Sequence, residues 1–322
     1  MSVELEKISE GFAKAQKIAI LTHVSLDGDC LGAGIALASA LRNMGKQACV
    51  ITDTPIPGAL SFLPGRDLVT CQPAEDFVPD MSVAIDCGDK ERFKDRDKYF
   101  KTAKLTANID HHRTNMGFAD INIVDKDRSS TSELVFELLK SMGAVITNDI
   151  AVCLYVGLVT DTGGFKYGNT NIHTHLCAAE LLGYGLNIAA LSQDIFVYST
   201  ESMLRLTAKA LSSLQLEYDK KLSIVSVTAE DFEECHAERS ETEGFADFGR
   251  ALPSVVASVA MREFERGKVK ISMRSKGDFD VAKIAQIFDG GGHTNAAGCS
   301  IECSIEKARA LIIEAFAALK SR

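Results

Sequence analysis

"KIAILTHVSLDGDCLGAGIALASALRNMGK", residues 17–46, decides the fold. It opens on an unbroken apolar run, Ile18-Ala19-Ile20-Leu21, the mark of a strand buried on both faces. It closes as a helix pattern over 30–46 that stops near Gly45, a good C-terminal punctuation. Between the two stand His23, Asp27 and Asp29, groups that repel one another or resist burial. Strand–helix alternation continues downstream. "QACVITD" (47–53), "MSVAIDCGD" (81–89), "KLTANIDHH" (104–112) and "DINIVD" (120–125) are short apolar runs. "SSTSELVFELLKSMGA" (129–144) is a helix with a Ser/Thr cap and an apolar stripe at Leu134, Val135, Leu138 and Leu139. "DIAVCLYVGLVTDTGGF" (149–165) reads as one more apolar strand, broken at Asp161 and two glycines. The pattern predicts an α/β fold with a parallel, doubly wound sheet. Gly32 and Gly34 read as sites where the helix packs close to that sheet. They do not form a GxGxxG dinucleotide loop, because Leu37 holds its last position.

The chain has 322 residues, long enough for two domains. A hydrophobic fraction of 46% and a charged fraction of 25% suit a globular protein. No apolar stretch reaches the roughly 18 residues of a membrane span. "MSVELEKISEGFAKAQK" reads as an amphipathic helix without a signal-peptide core. Nine cysteines without a CxxC pair read as reduced thiols, which points to a cytoplasmic location. A net charge of −9 argues against a protein that coats long duplex nucleic acid, though not against short substrates in a local pocket. After three helical stretches over 173–215 the pattern changes. "KLSIVSVTAEDF", "VVASVAMREFERGKVKISMRSKGDFD" with a hairpin turn at 266–268, and a closing helix from about 305 predict a smaller α+β domain. The expected organisation is a first domain over 1–186, a helical linker over 187–215 and a second domain over 216–322.

Four motifs end apolar runs in acids or histidines: His23, Asp27 and Asp29; Asp86; Asp110, His111 and His112; Asp161. In an open parallel sheet the strands' carboxyl ends face one crevice. Carboxylates converging there raise each other's pKa, and isolated buried ions cost several kcal/mol each. No lysine or arginine lies inside the motifs. Two divalent cations, about +4 in total, would balance them, so the reading is a metal centre. Oxygen and imidazole donors suit Mn²⁺, with Mg²⁺, Co²⁺ or Fe²⁺ as alternatives. A bridged pair of ions would generate a hydroxide and clamp a phosphoryl group.

These residues resemble the four motifs of the DHH phosphoesterase family. The tail "GGGHTNAAG" (290–298) is similar to that family's DHHA1 domain, and together they resemble its short-oligoribonuclease/pAp-phosphatase branch. The resemblance implies a manganese-dependent hydrolase that attacks phosphoesters with a two-metal hydroxide, with 1–186 the metal-binding domain, 216–322 the substrate-binding domain and a cleft between the two. His23 and Asp27 would hold one metal, Asp29, His111 and Asp161 the other, and Asp86 both. His112 would stand beside the scissile phosphate, and Asp110 would orient His111. Gly291, Gly292, His293 and Arg274 would hold a substrate phosphate. Arg113 would either reach the substrate or cap the loop. The family often has a fourth glycine where this chain has Asp289. Substrates would be single-stranded oligoribonucleotides of two to about five units and 3′-phosphoadenosine 5′-phosphate (pAp); no membrane partner is expected, and a homodimer is left open. Rival readings are a pApA-type dinucleotide phosphodiesterase, a manganese inorganic pyrophosphatase and a catalytically dead nucleotide sensor. His173 and His175 read as helix-start surface or packing residues, and His236 as a solvated helix residue. "RSS" (128–130) reads as a helix N-cap region.

Overall fold

The computed structural model describes residues 2–242 and 244–320, which form two compact units divided at Tyr198/Ser199. In the first unit, strands β1 (Lys17–Leu21), β2 (Gln47–Ile51), β3 (Val69–Thr70), β4 (Met81–Ile85), β5 (Leu105–Asp110) and β6 (Ile121–Val124) make one sheet. Its order is β3-β2-β1-β4-β5-β6 and every pairing is parallel. Successive residues of β1 enter opposite cores. Ile18 and Ile20 pack with helices α1 (Ser2–Lys14), α2 (Gly28–Asn43), α4 (Thr131–Ser141) and α5 (Asn148–Asp161). Ala19 and Leu21 pack with Phe93 and with Phe100 of α3 (Asp97–Thr102). Two covered faces explain why the strands read as unbroken apolar runs. Helices α6 (Ile172–Leu182) and α7 (Ile188–Phe196) complete this unit.

The structure corrects two expectations here. The apolar segment ending at Asp161 is not a strand but helix α5, with the Thr147 hydroxyl accepting from the Ile150 amide at 3.3 Å as its N-cap. The helix is buried all round, so it shows no amphipathic period. Its 14 residues exceed a usual strand, and length was the usable signal. The second correction concerns the glycines. Gly34 faces the sheet at Val50 and Ile20, but Gly32 faces α5 at the Cys153 carbonyl. Residues two apart on a helix lie roughly 200° apart, so one neighbour does not meet both.

In the second unit, α8 (Glu201–Ser212) and α9 (Ala229–Cys235) lie on one face of a second sheet, and α10 (Val281–Ile287) and α11 (Ile305–Lys320) on the other. The sheet joins β7 (Gln215–Glu217), β8 (Leu222–Val227), β9 (Ala257–Glu265), β10 (Lys268–Ser275), β11 (Gly291–His293) and β12 (Ala296–Ile301) in the order β11-β12-β10-β9-β8-β7. Only β8 and β9 run parallel; the other pairs are antiparallel. Among the described residues no helix is long and apolar enough to cross a membrane.

Candidate metal centre

The chain winds away from β1 in one direction through β2 and in the other through β4, so the crevice at a reversal of strand order opens between β1 and β4. His23 follows β1 by two residues and Asp86 follows β4 at once. Asp110 ends β5, with His111 and His112 next. Asp27 caps α2 and Asp29 lies in its first turn, while Asp161 is the last residue of α5. All eight residues therefore sit at or just beyond element ends.

The structure gathers them around Asp86. Asp86 Oδ2 lies 3.3 Å from His23 Nε2, which is also 3.3 Å from Asp27 Oδ2. Asp86 Oδ1 lies 3.6 Å from His111 Nε2, which is 3.5 Å from Asp161 Oδ2. The donor atoms fall into three groups: His23 with Asp27 and Cys30, Asp86 with His111 and His112, and Asp29 with His111 and Asp161. Asp86 Oδ2 faces His23, while its Oδ1 faces His111 and, at 3.5 Å, His112. Its backbone is left-handed, at φ +57°. That conformation costs an L-residue about 1–2 kcal/mol and is tolerated best by Asp and Asn.

The imidazoles are set for ligation. His23 Nδ1 donates to the Val24 carbonyl at 2.6 Å and His111 Nδ1 to the Arg128 carbonyl at 3.3 Å. Each ring is thereby locked with Nε2 facing the acids, the usual arrangement of a metal-binding histidine. The acids are equally committed. One oxygen of Asp27 caps α2 through the Asp29 and Cys30 amides. Asp29 accepts from the Thr131 and Ser132 amides at 2.7 and 2.8 Å, at the positive end of α4.

Charge decides what the pocket can hold. Burial and the neighbouring Asp86 and Asp161 push the Asp29 carboxyl far above its ordinary range. Burial, then Asp86 and Asp27, push Asp161 up to about 7. Burial works against a charged His23, but hydrogen bonds to Asp27 and Asp86 outweigh it and raise its pKa. No lysine or arginine pairs with these four carboxylates among the described residues. Arg128, whose carbonyl holds His111, is committed to Asp125, Glu133 and Glu137. Hard oxygens and imidazoles locked with Nε2 inward, beside the Cys30 thiol, are suited to divalent cations.

Asp110 is placed differently from expectation. Its Oδ1 holds His112 Nδ1 at 2.6 Å, and its Oδ2 accepts from Asn115 at 2.6 Å, so it orients His112 rather than His111. Residues two apart on an extended backbone share a side, whereas the next residue points away. That hydrogen bond raises the His112 pKa to about 9. Arg113 lines a cavity of about 550 Å³ together with His111, His112, Lys126 and His173. His175 stacks on Phe165, and His236 ends α9 in a left-handed turn.

Three supporting residues were missed in the sequence. Thr131 donates its hydroxyl to Asp86 Oδ1 at 2.9 Å. Asn169 donates to the Asp161 carboxylate at 3.3 Å. Arg96, only 5% exposed, donates to the carbonyls of Thr22 and Ile51 at 2.9 Å each and so pins the ends of β1 and β2 beside His23. Only Thr131 had a local signal, its place next to the Ser130 N-cap that the sequence marked.

In the second unit, Arg274, Ala296 and His293 are register partners across β10, β12 and β11. The small Ala296 separates a guanidinium from an imidazole on one face. Gly292 has φ +143°, a conformation essentially restricted to glycine, and a Cβ there would lie 2.4 Å from the Ala296 carbonyl oxygen. Asp289 sits at φ +53°, which explains why a glycine suits this position and how an aspartate serves in its place.

The family model for the DHH family, N-terminal domain, matches residues 17–158, and the DHHA1 domain model matches residues 236–319. The chain belongs to the DHH family. A Thermus thermophilus protein named bifunctional oligoribonuclease and PAP phosphatase NrnA is 34% identical over 300 residues, covering 92% of this chain and 88% of its own. The crystal structure of an exopolyphosphatase-related protein from Bacteroides fragilis superposes with a TM-score of 0.91 at 29% identity, over 100% of this chain and 96% of that one. The Thermus thermophilus RecJ structure in complex with Mn²⁺ shares the fold, with a TM-score of 0.56 at 14% identity, over 98% of this chain and 55% of that one.

Proposed function

We propose that the chain is a phosphohydrolase dependent on two Mn²⁺ ions. It degrades short oligoribonucleotides to mononucleotides and dephosphorylates pAp to AMP. The observation that carries this reading is Asp86, buried and left-handed at the sheet's reversal point, with one carboxylate oxygen facing His23 and the other His111. The near-full-length relative named oligoribonuclease and PAP phosphatase supports the substrate class.

His23, Asp27, Asp29, His111 and Asp161 would hold the ions, with Asp86 shared. When bound, the ions supply a nucleophile at neutral pH and positive charge for the phosphoryl oxygens. The protein's own groups do the rest. Asp110 takes His112 Nδ1, which leaves Nε2 as the ring nitrogen for the substrate. The Asp110 carboxylate favours the protonated ring, which donates to a phosphate or leaving oxygen. Arg113, at the rim of the same cavity, binds a further substrate phosphate. In the second unit Arg274, His293 and the exposed backbone at Gly291 and Gly292 bind phosphate. Nine unpaired cysteines support a cytoplasmic setting.

The test is turnover of pAp and of a labelled RNA dimer with Mn²⁺, compared with Asp86→Ala. We expect a loss of kcat of about a hundred- to a thousandfold, typical of removing a group central to transition-state charge stabilisation. Equal rates in the variant would eliminate the catalytic reading.

A further inference from the structure

The donor group at the start of α2 contains a thiol. His23, Asp27 and Cys30 each place one ligand atom within 4.8 Å of the others. The remaining groups, Asp86 with His111 and His112 and Asp29 with His111 and Asp161, offer oxygen and nitrogen only. Five other cysteines are buried, namely Cys87, Cys153, Cys177, Cys235 and Cys299. They are the plain case of a thiol packed as a small apolar side chain. Among the described residues Cys30 is the one cysteine that joins a donor group. Its local bonding does not explain the sulfur. Cys30 is the third residue of α2, and its Sγ accepts from the Asp27 amide at 3.4 Å, which closes a capping box. Sulfur is a weak acceptor, and an oxygen serves that purpose better. The capping boxes of α6 and α9 place oxygen there, from Thr174 and Asp231. Burial is complete at Cys30, yet burial by itself does not bring a thiol to an imidazole. His23 Nδ1 is tied to the Val24 carbonyl, so Nε2 is the nitrogen left for the carboxylates and the sulfur.

We propose that Cys30 is a metal ligand, its thiolate joining His23 and Asp27 on one ion. The thiol proton leaves to solvent as the sulfur–metal bond forms. The positions of the centre are then chemically unequal. Nitrogen, oxygen and sulfur at the start of α2 favour a softer ion, Zn²⁺ or Co²⁺, over Mn²⁺. Asp29, His111 and Asp161 keep the preference of oxygen-rich donors for a harder ion. Three mixed protein ligands also suit a zinc-type ion that keeps one position open. The ligand assignment rests on the metal-centre reading, and it adds a preference that acids and imidazoles do not carry.

Cobalt reports the sulfur directly, because a cobalt–thiolate bond absorbs in the near ultraviolet and bonds to oxygen or imidazole do not. Chelator-treated, reduced full-length protein would be titrated with Co²⁺, with bound metal counted by equilibrium dialysis and absorption recorded at each step. The parent should develop the near-ultraviolet band. Cys30→Ser, whose hydroxyl still closes the capping box, should lose that band while keeping the visible bands of bound cobalt. Its Zn²⁺ affinity should fall about 10–100-fold, at least the cost of losing a group that merely supports a ligand. Its Mn²⁺ affinity should change less than about threefold, since manganese favours oxygen donors. Thermal melts of the metal-free proteins check that the variant folds, and the parent spectrum decides the matter without it. Cobalt bound to the parent with no near-ultraviolet band would overturn the proposal, as would a band that survives in folded Cys30→Ser. A parent that binds none of Co²⁺, Zn²⁺ and Mn²⁺ would instead refute the metal-centre reading itself, and the ligand assignment with it.

Discussion

Two glycines on α2 should respond in opposite directions to the same substitution. A Cβ on Gly32 would lie 2.3 Å from the Cys153 carbonyl oxygen and 3.2 Å from the Gly157 nitrogen, both backbone atoms of α5. Ordinary contact begins near 3.5 Å, so Gly32→Ala must part α2 from α5 by about 1 Å. Overpacking costs about 1–3 kcal/mol, and the upper end applies because no rotamer change moves a backbone carbonyl. Replacing glycine with alanine in a helix returns about 1 kcal/mol, which leaves a net loss of about 2 kcal/mol. A Cβ on Gly34 meets Val50 and Ile20 methyls at 3.4 and 3.6 Å, ordinary packing, so Gly34→Ala keeps only the gain of about 1 kcal/mol. For a unit of this size each kcal/mol moves Tm by about 2–4 °C. Thermal unfolding followed by circular dichroism should place Gly32→Ala about 4–8 °C below the parent and Gly34→Ala about 2–4 °C above it. Asp29 lies in the first turn of α2 and Asp161 ends α5, so Mn²⁺ titrations should also show weaker binding for Gly32→Ala alone. A Gly32→Ala protein melting at or above the parent would refute the close-approach argument, as would equal losses in both variants.

Two further predictions concern residues that hold the sheet in register. Arg96→Met leaves the Thr22 and Ile51 carbonyls buried without their donor, so urea unfolding should show a loss of about 3 kcal/mol; an unchanged midpoint would mean that Arg96 is not a structural clamp. Asp80 accepts from the Gln16 and Lys17 amides at 3.1 and 3.0 Å, and these bonds hold its pKa down to about 2. A depressed acid stabilises the fold above its unfolded pKa near 3.9, and the gain is lost as pH falls towards 2. The stability gap between the parent and Asp80→Asn should therefore be full above about pH 4 and close near pH 2, measured by denaturant titration; a constant gap down to pH 2 would contradict the linkage.

The legible features were local ones. Unbroken apolar runs, a helix stop at Gly45 and acids at element ends are properties of a few consecutive residues, and they sufficed for a parallel α/β unit and for its candidate ligands. The helical state of 148–161 was not legible, because a helix covered on every side leaves no polar stripe to set its period. Asp110 pairing with His112 followed from side-chain alternation at a strand end, a rule readable in the sequence once the strand's last residue was known. Arg96 looked like any other surface charge in "KERFKDRDK", and only folding buried it beneath two strand ends.

What the sequence marked by itself was the candidate chemistry, since acids and imidazoles without lysine or arginine beside them are suited to divalent cations wherever they converge. Convergence itself was decided by tertiary structure. Asp29 receives its hydrogen bonds from amides 102 and 103 residues away, and Asp86 stands between His23 and His111 because β4 lies beside β1 at the reversal of strand order. Such contacts depend on how the sheet is assembled, and no window of neighbouring residues encodes that order.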